Sequence, residues 1–210
     1  MFSSTKEKMI SGAADLISRR GVAATSLRDV VHHTGTPRGS LSHHFPGGKQ
    51  QMLEEAVQYA DEAVAGPLSA LLQERGPVEG LHAFIAWWRR ILEASDFVAG
   101  CPVLAVAIEP RGATGAQAGE DDAAHERLRS LVHGAFSRWQ AIFADSLVRA
   151  GVADVRAKRL AALVVASVEG TVAMCRAAGS REPLDCVAEE LHSILQLAVA
   201  QAPTGQRVSR

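Results

Sequence analysis

Apolar residues return at helical spacing along nearly the whole chain, and no run of β-branched residues alternates with polar ones. The pattern predicts an all-α protein of about nine helices. Ser4 and Glu7 open the first helix as a capping box, Met9, Ile10, Ala13, Leu16 and Ile17 form its inward face, and Gly21 stops it. Leu27, Val30 and Val31 mark a short second helix, and Leu41 and Phe45 anchor a third. A long fourth helix from about Lys49 turns Met52, Leu53, Ala56, Val57 and Ala60 inward, with Gly66-Pro67 expected to bend or break it. A fifth lies over 78–94, between Gly76-Pro77 and a turn at Ser95-Asp96, and a short apolar piece runs from Pro102 to about Pro110. Residues 111–122 carry no periodicity and read as a surface loop. Long helices are predicted over 124–150, 154–178 and 184–200, followed by a polar tail from Pro203.

The segment Thr25–Lys49 carries the sharpest local signal. Ser26 and Asp29 form a second capping-box start, and Gly35 supplies the left-handed residue that ends a helix. Thr36 is expected to cap the next helix, with Pro37 at its first position, where no N–H is needed. Arg38, Ser40, Ser42 and His43 then face outward. A small, polar, basic helix fixed at an angle by its predecessor is what a DNA major groove admits. Charge agrees. Residues 1–50 hold seven Lys/Arg against three acids, a net of +4, while the rest hold 15 against 20, a net of −5. A basic head on an acidic body suits phosphate contact at one end.

The last two long helices are apolar beyond one face. Leu160–Val168 with Val172, Ala173 and Met174 must be buried on two sides, and Leu191, Ile194, Leu195, Leu197, Ala198 and Val199 give its partner a second broad stripe. Either they form an ordinary core or they make a two-fold four-helix interface, each subunit giving both helices; Val168 and Leu195 are placed at such a seam. A DNA-reading helix favours the dimer, since one short helix spans too few base pairs for useful specificity. Glu169, among apolar neighbours, reads as a structural carboxylate near the seam or as the partner of a cationic ligand. Aromatic residues gather mid-chain: Phe84, Trp87, Trp88 and Phe97, then Phe136, Trp139 and Phe143. Phe84 and Trp88 share a helix face, as do Phe136, Trp139 and Phe143, and the two stripes are either solid core or the walls of a flat apolar site.

Other chemistry is thinly represented. Cys101, Cys175 and Cys186 have neither even number nor CxxC spacing, so no disulfide framework or zinc site is predicted, and Cys101 reads as a small buried hydrophobe, with a redox sensor as the weaker alternative. His32-His33 and His43-His44 are adjacent on helices and point apart, so no metal is predicted. No secretory leader is evident, and the most apolar stretch, Leu160–Val168, is too short to span a bilayer, so a cytoplasmic protein with no membrane partner is expected. Arg111-Gly112-Ala113-Thr114-Gly115 lacks the lysine and the preceding strand of a phosphate loop, and Glu120-Asp121-Asp122 is a solvated cluster at a helix start. No catalytic residues and no cofactor are predicted; a helical protein-binding adaptor is the alternative, and an enzyme of unrecognised type a weaker one.

The chain resembles the TetR family of one-component regulators. The resemblance rests on the first helix ending in Arg20-Gly21-Val22, on Thr25-Ser26-Leu27-Arg28-Asp29-Val30, and on Gly39-Ser40-Leu41, His44-Phe45 and Lys49. Pro37-Arg38-Gly39-Ser40-Leu41, Pro46-Gly47-Gly48-Lys49 and Gly100-Cys101-Pro102-Val103 resemble the LmrA-like branch. Ser42 departs from the family, which usually has Tyr there. The resemblance implies a three-helix DNA-binding head over 1–48, a ligand-binding and dimerisation bundle over 49–202 and a tail over 203–210. It implies a homodimeric repressor on a pseudo-palindromic double-stranded operator, dimerising through the last two long helices and released by a small apolar or aromatic effector. Thr25, Ser26 and Lys49 are then expected at phosphates, Thr36, Arg38, Ser40 and His43 at bases or phosphates, with Arg28, Pro37, Gly39 and Ser42 beside them. The aromatic set Phe84, Trp87, Trp88, Phe97, Phe136, Trp139 and Phe143 becomes the expected effector pocket, Trp87 and Trp139 foremost.

Overall fold

The computed structural model describes residues 4–110 and 120–202; of the expected loop over 111–122, residues 111–119 lie outside the described residues, as does the tail from Pro203, while 120–122 are helical and not loop. Among the described residues there are eight helices and no strand: α1 (Thr5–Arg20), α2 (Leu27–Thr34), α3 (Ser40–His44), α4 (Gly48–Ala94), α5 (Pro102–Ala107), α6 (Glu120–Arg149), α7 (Asp154–Ala178) and α8 (Glu182–Ala200). The chain divides into two compact units, residues 1–63 with 99–135 and residues 64–98 with 136–210.

In the first unit, α1 opens on the expected box: Glu7 N donates to Ser4 Oγ at 3.1 Å, and Ser4 N donates to the Glu7 carboxylate at 2.8 Å. Helix α1 packs on α2 and α5; its residues Met9, Ala13, Leu16 and Ile17 are buried, as are Val30 and Val31 of α2, Phe45, and Met52, Leu53, Ala56 and Val57 of α4 in the same unit. Gly12 sets how close α1 and α2 lie, because a Cβ there would overlap the Thr34 methyl. The start of α6 is tied to α4 by Arg127–Glu54 at 3.0 Å and by Gln50 Nε2 donating to Ala124 O at 3.0 Å.

The second unit contains a hairpin. Helix α4 does not break at Gly66-Pro67, as expected, but runs through that pair to Gly76, whose φ of 74° and ψ of −179° are not helical. Only glycine adopts such a backbone readily. The chain reverses there, setting Gly80 against Leu71 and Leu72. Pro67 removes one helical donor, but Val64, Ala65 and Leu68 are buried on both sides of it and hold the helix in register. The expected fifth helix is thus the limb of α4 after Gly76. Helices α7 and α8 pack on one another. Arg89–Asp185 at 2.6 Å and Arg181–Glu93 at 3.0 Å fasten the start of α8 to this limb.

Candidate nucleic-acid interface

Helix α2 is set by its own sequence. Asp29 N donates to Ser26 Oγ at 3.2 Å, and Ser26 N donates to the Asp29 carboxylate at 2.9 Å. The Ser26 hydrogen bonds, helped by Arg20 at 3.5 Å, hold the Asp29 carboxyl below its ordinary value of 3.8. Gly35, at φ 63°, closes α2 by donating to Val31 O. The sequence then departs from expectation. Thr36 caps nothing: its hydroxyl pairs with that of Thr34 at 2.8 Å, and Thr34 in turn donates to Val30 O at 2.8 Å. The third helix begins at Ser40, not at Pro37, with Gly39 before it and no side-chain cap. Ser40 N to Pro37 O at 3.1 Å and Leu41 N to Arg38 O at 3.3 Å make residues 37–41 a tight i→i+3 turn that leads into α3.

The expected site residues separate into two sets. Arg28, Pro37, Arg38, Gly39, Ser42 and His43 are exposed, as is Ser26, while Ser40 and Thr36 are half-buried. Phe45 is buried beneath them. Thr25 and Lys49 turn inward instead. Thr25 is 0% exposed, its hydroxyl donating to Gly21 O at 2.8 Å. Lys49 Nζ donates to Val22 O at 3.0 Å. Burial lowers the Lys49 pKa from 10.5, against the opposing pull of Glu109 and Asp29. Sequence reasoning missed Glu109, just past α5, which accepts from Ala23 N at 2.9 Å through Oε1. Together Thr25, Lys49 and Glu109 hold the 21–25 turn from inside, and so fix where α2 begins.

Residues 9–56 match the family model of bacterial regulatory proteins of the tetR family. Residues 77–190 match the C-terminal domain of LmrA/YxaF-like transcriptional regulators. An HTH-type transcriptional regulator of Mycobacterium tuberculosis is 38% identical over 96% of this chain and 98% of its own. The chain belongs to the TetR family. The HTH-type transcriptional regulator LmrA of Bacillus subtilis is 29% identical over 87% of this chain and 92% of its own. Among solved structures, a TetR transcriptional regulator from Chloroflexus aurantiacus aligns with a TM-score of 0.71 at 28% identity, covering 91% of this chain and 94% of that one. TetR from Rhodobacter sphaeroides shares the fold at a TM-score of 0.76, with 19% identity over 91% and 98% of the two chains. This TetR-family chain is therefore a DNA-binding helix-turn-helix transcriptional regulator, with α2 and α3 as the helix pair.

The aromatic residues of this TetR-family member are divided as well. In the second unit a narrow apolar cavity has about 20 Å³ of free space, room for roughly one water molecule. Phe84, Trp139 and Phe143 line it. Trp87 does not; it stacks on Phe84 at 5.3 Å and meets Trp88 edge-on at 5.2 Å. Trp88 is buried elsewhere, Phe136 stands edge-on to Trp139 at 5.3 Å, and Phe97 sits in the turn after α4 with a left-handed φ of 57°. The rest of the wall is Val64, Leu68 and Leu81 of α4, which the sequence did not single out, with Val164, Val165 and Val168 of α7, expected at core or seam, and Glu169, expected as a structural carboxylate or the partner of a cationic ligand.

Helix α7 also corrects the expected seam. Val168 and Leu195 are 4% and 0% exposed, so both are core. The outward stripe is instead Ala162, Leu163, Ala166, Gly170, Ala173 and Met174, continued by Leu197 of α8. Met174 is 57% and Leu197 61% exposed. This stripe is why α7, alone among the described helices, is long and apolar enough to cross a membrane by length and composition, although the Leu160–Val168 run is not. Of the most apolar 18-residue window of this helix, 44% is buried inside the protein.

Proposed function

We propose that this regulator is a cytoplasmic homodimeric repressor without enzymatic activity, held on a pseudo-palindromic operator by two heads and released by a small apolar or aromatic effector. The observation that carries this reading is the exposed Arg38–His43 face, set at a fixed angle by the Gly35 turn behind α2. Arg38 has the reach for a bidentate guanine contact, and Ser42 and His43 stand beside it on α3. Ser26 and Arg28, exposed at the start of α2, approach phosphates. Residues 1–48 act as the reading head, residues 49–202 carry effector binding and dimerisation, and the α7–α8 stripe of Leu163, Ala166, Met174 and Leu197 forms the two-fold seam. An exposed apolar surface of this extent on two packed helices favours a second copy over water.

The cavity bearing Trp139 is the effector site in this reading. It holds no more than about one water as it stands, so an effector must widen it. A ligand that binds only the widened state shifts the population toward that state, and it releases DNA if that state binds operator less well. The reading is tested by a mobility-shift assay on the DNA flanking the protein's own gene, run at two salt concentrations. A discrete complex that outlasts competitor DNA and weakens steeply with salt is expected. Binding indifferent to sequence would overturn it.

A further inference from the structure

Helix α3 carries the exposed Arg38–His43 face and yet has little of its own to aim it. It is five residues long, none of them fully buried, and no side chain caps its start. A helix this short does not hold its own direction in water. Phe45 pins its far end, being 2% exposed, but a single anchor leaves the helix free to swing about it. Gln51, near the start of α4, supplies the missing restraint. Its Oε1 accepts from Gly47 N at 2.9 Å, and its Nε2 donates to His44 O at 3.3 Å and to Glu55 Oε1 at 2.8 Å. We propose that Gln51 is the positioning residue of the reading helix, setting the angle at which Arg38, Ser42 and His43 meet base edges without itself touching DNA. The inference rests on the reading of the Arg38–His43 face as the one that contacts DNA, and it names what holds that face at its angle.

The Gln51 amide fits only one way round. Its oxygen meets a donor, the Gly47 N–H, and its nitrogen meets two acceptors; turned over, it would set oxygen against the His44 carbonyl and the Glu55 carboxylate. Glu55 is held in turn by Lys6 of α1, whose Nζ donates to Glu55 Oε1 at 2.8 Å and lies 5.9 Å from the centre of the Phe45 ring. One chain of contacts therefore runs from the start of α1 through α4 to the end of α3. The last carbonyls of a helix have no partner within it, and Gln51 gives His44 O one. Gly47 leaves the room for this: a Cβ there would stand 3.1 Å from Gln51 Cβ and 3.2 Å from its Oε1. Each bond contributes little to stability, but a tilt of α3 displaces every contact beyond it, and hydrogen bonds to base edges weaken steeply as they bend. Ser26 and Arg28 stand on α2, which is set by its own capping box, so phosphate contacts made there do not depend on that angle.

The experiment uses the full-length protein. The parent selects a motif from a random duplex library, and that duplex and a scrambled one of the same composition are then titrated with each variant. Gln51→Leu removes both polar groups at similar size. It should bind the selected duplex about tenfold more weakly, the order of one misplaced bidentate contact. Its affinity for the scrambled duplex, and the salt slope, should stay those of the parent. A merely structural role would lower both affinities together, so equal losses on the two duplexes, or parent-like binding of the selected one, would overturn the inference. Arg38→Ala, run alongside, separates the two readings. If it loses selected binding while Gln51→Leu does not, the positioning role alone fails; if it binds as the parent does, the reading of the Arg38–His43 face fails and this inference with it. A parent that enriches no motif overturns both. Should Gln51→Leu not fold, Glu55→Leu and Glu55→Gln decide. The first frees the Gln51 amide and should reproduce the loss; the second still accepts from Gln51 Nε2 and should keep parent affinity. Equal behaviour of that pair would overturn the inference.

Discussion

At the residue scale, the head owes its geometry to a few positions where space or charge is tightly limited. Gly12 lies where α1 and α2 touch, and any Cβ would overlap the Thr34 methyl, whose hydroxyl is already committed to Val30 O and Thr36. Gly12→Ala should therefore cost about 1–3 kcal/mol of stability by forcing the helices apart, measured by urea denaturation, and should weaken operator binding in step. Arg38 is exposed, and no ion pair ties it down among the described residues. Arg38→Ala should leave the melting temperature unchanged and cost about 1–3 kcal/mol of operator affinity in a titration. Lys49 gives the opposite split, because its ammonium holds Val22 O rather than solvent. Lys49→Ala should cost about 0.5–1.5 kcal/mol of stability and leave the salt slope of DNA binding as it was. A slope reduced by about one unit would instead place that ammonium at a phosphate. The identity of Lys49 was legible in the sequence; its direction was not, since the inward acceptor is a backbone carbonyl 27 residues away.

At the scale of elements, what the sequence revealed was whatever local chemistry settles. Both capping boxes, at Ser4/Glu7 and Ser26/Asp29, and the left-handed stop at Gly35 stand where the residues placed them, because each involves partners within a turn. Two Gly-Pro pairs were locally alike, and only packing told them apart. Gly66-Pro67 is carried through by buried Val64, Ala65 and Leu68, whereas at Gly76 the chain reverses so that Gly80 meets Leu71 and Leu72. The start of α3 was misread for a related reason: residues 37–41 form an i→i+3 turn, Ser40 N to Pro37 O and Leu41 N to Arg38 O, so the helix begins at Ser40 and Thr36 is not at its N-cap. The α2 box also carries a pH signature. Asp29 has a folded-state pKa below its ordinary 3.8, so its contribution to stability is whole above 3.8 and is lost as pH falls through the lower folded value. The melting temperature of the parent should exceed that of Asp29→Asn near neutral pH, and the gap should close below pH 3.8. A gap that widened on acidification would mean that the carboxyl is not the stabilising form.

At the scale of the whole molecule, composition located the apolar helices but could not assign their faces, because α7 is apolar on both. Its inner face closes the cavity through Val164 and Val168, and its outer face leaves Leu163 and Met174 in water. A carboxylate at either face meets a different fate, and this separates core from seam. Val168→Glu and Leu195→Glu would each bury a charge inside one subunit, where desolvation costs several kcal/mol, and both should yield unfolded or aggregated protein. Leu163→Glu combined with Met174→Glu places its carboxylates on surface already exposed in the single chain, so the subunit should keep its melting profile. Across a two-fold seam, however, each substitution recurs on the partner and the added charges confront one another. Sedimentation at micromolar concentration should then show the parent as a dimer and the double variant as a folded monomer. Specific operator binding should fall steeply in that monomer, because two half-sites are no longer read by one body, while weak salt-sensitive binding persists. A folded double variant that still sediments as a dimer would move the seam off the Leu163–Met174 stripe, and a parent that sediments as a monomer would remove the dimer altogether.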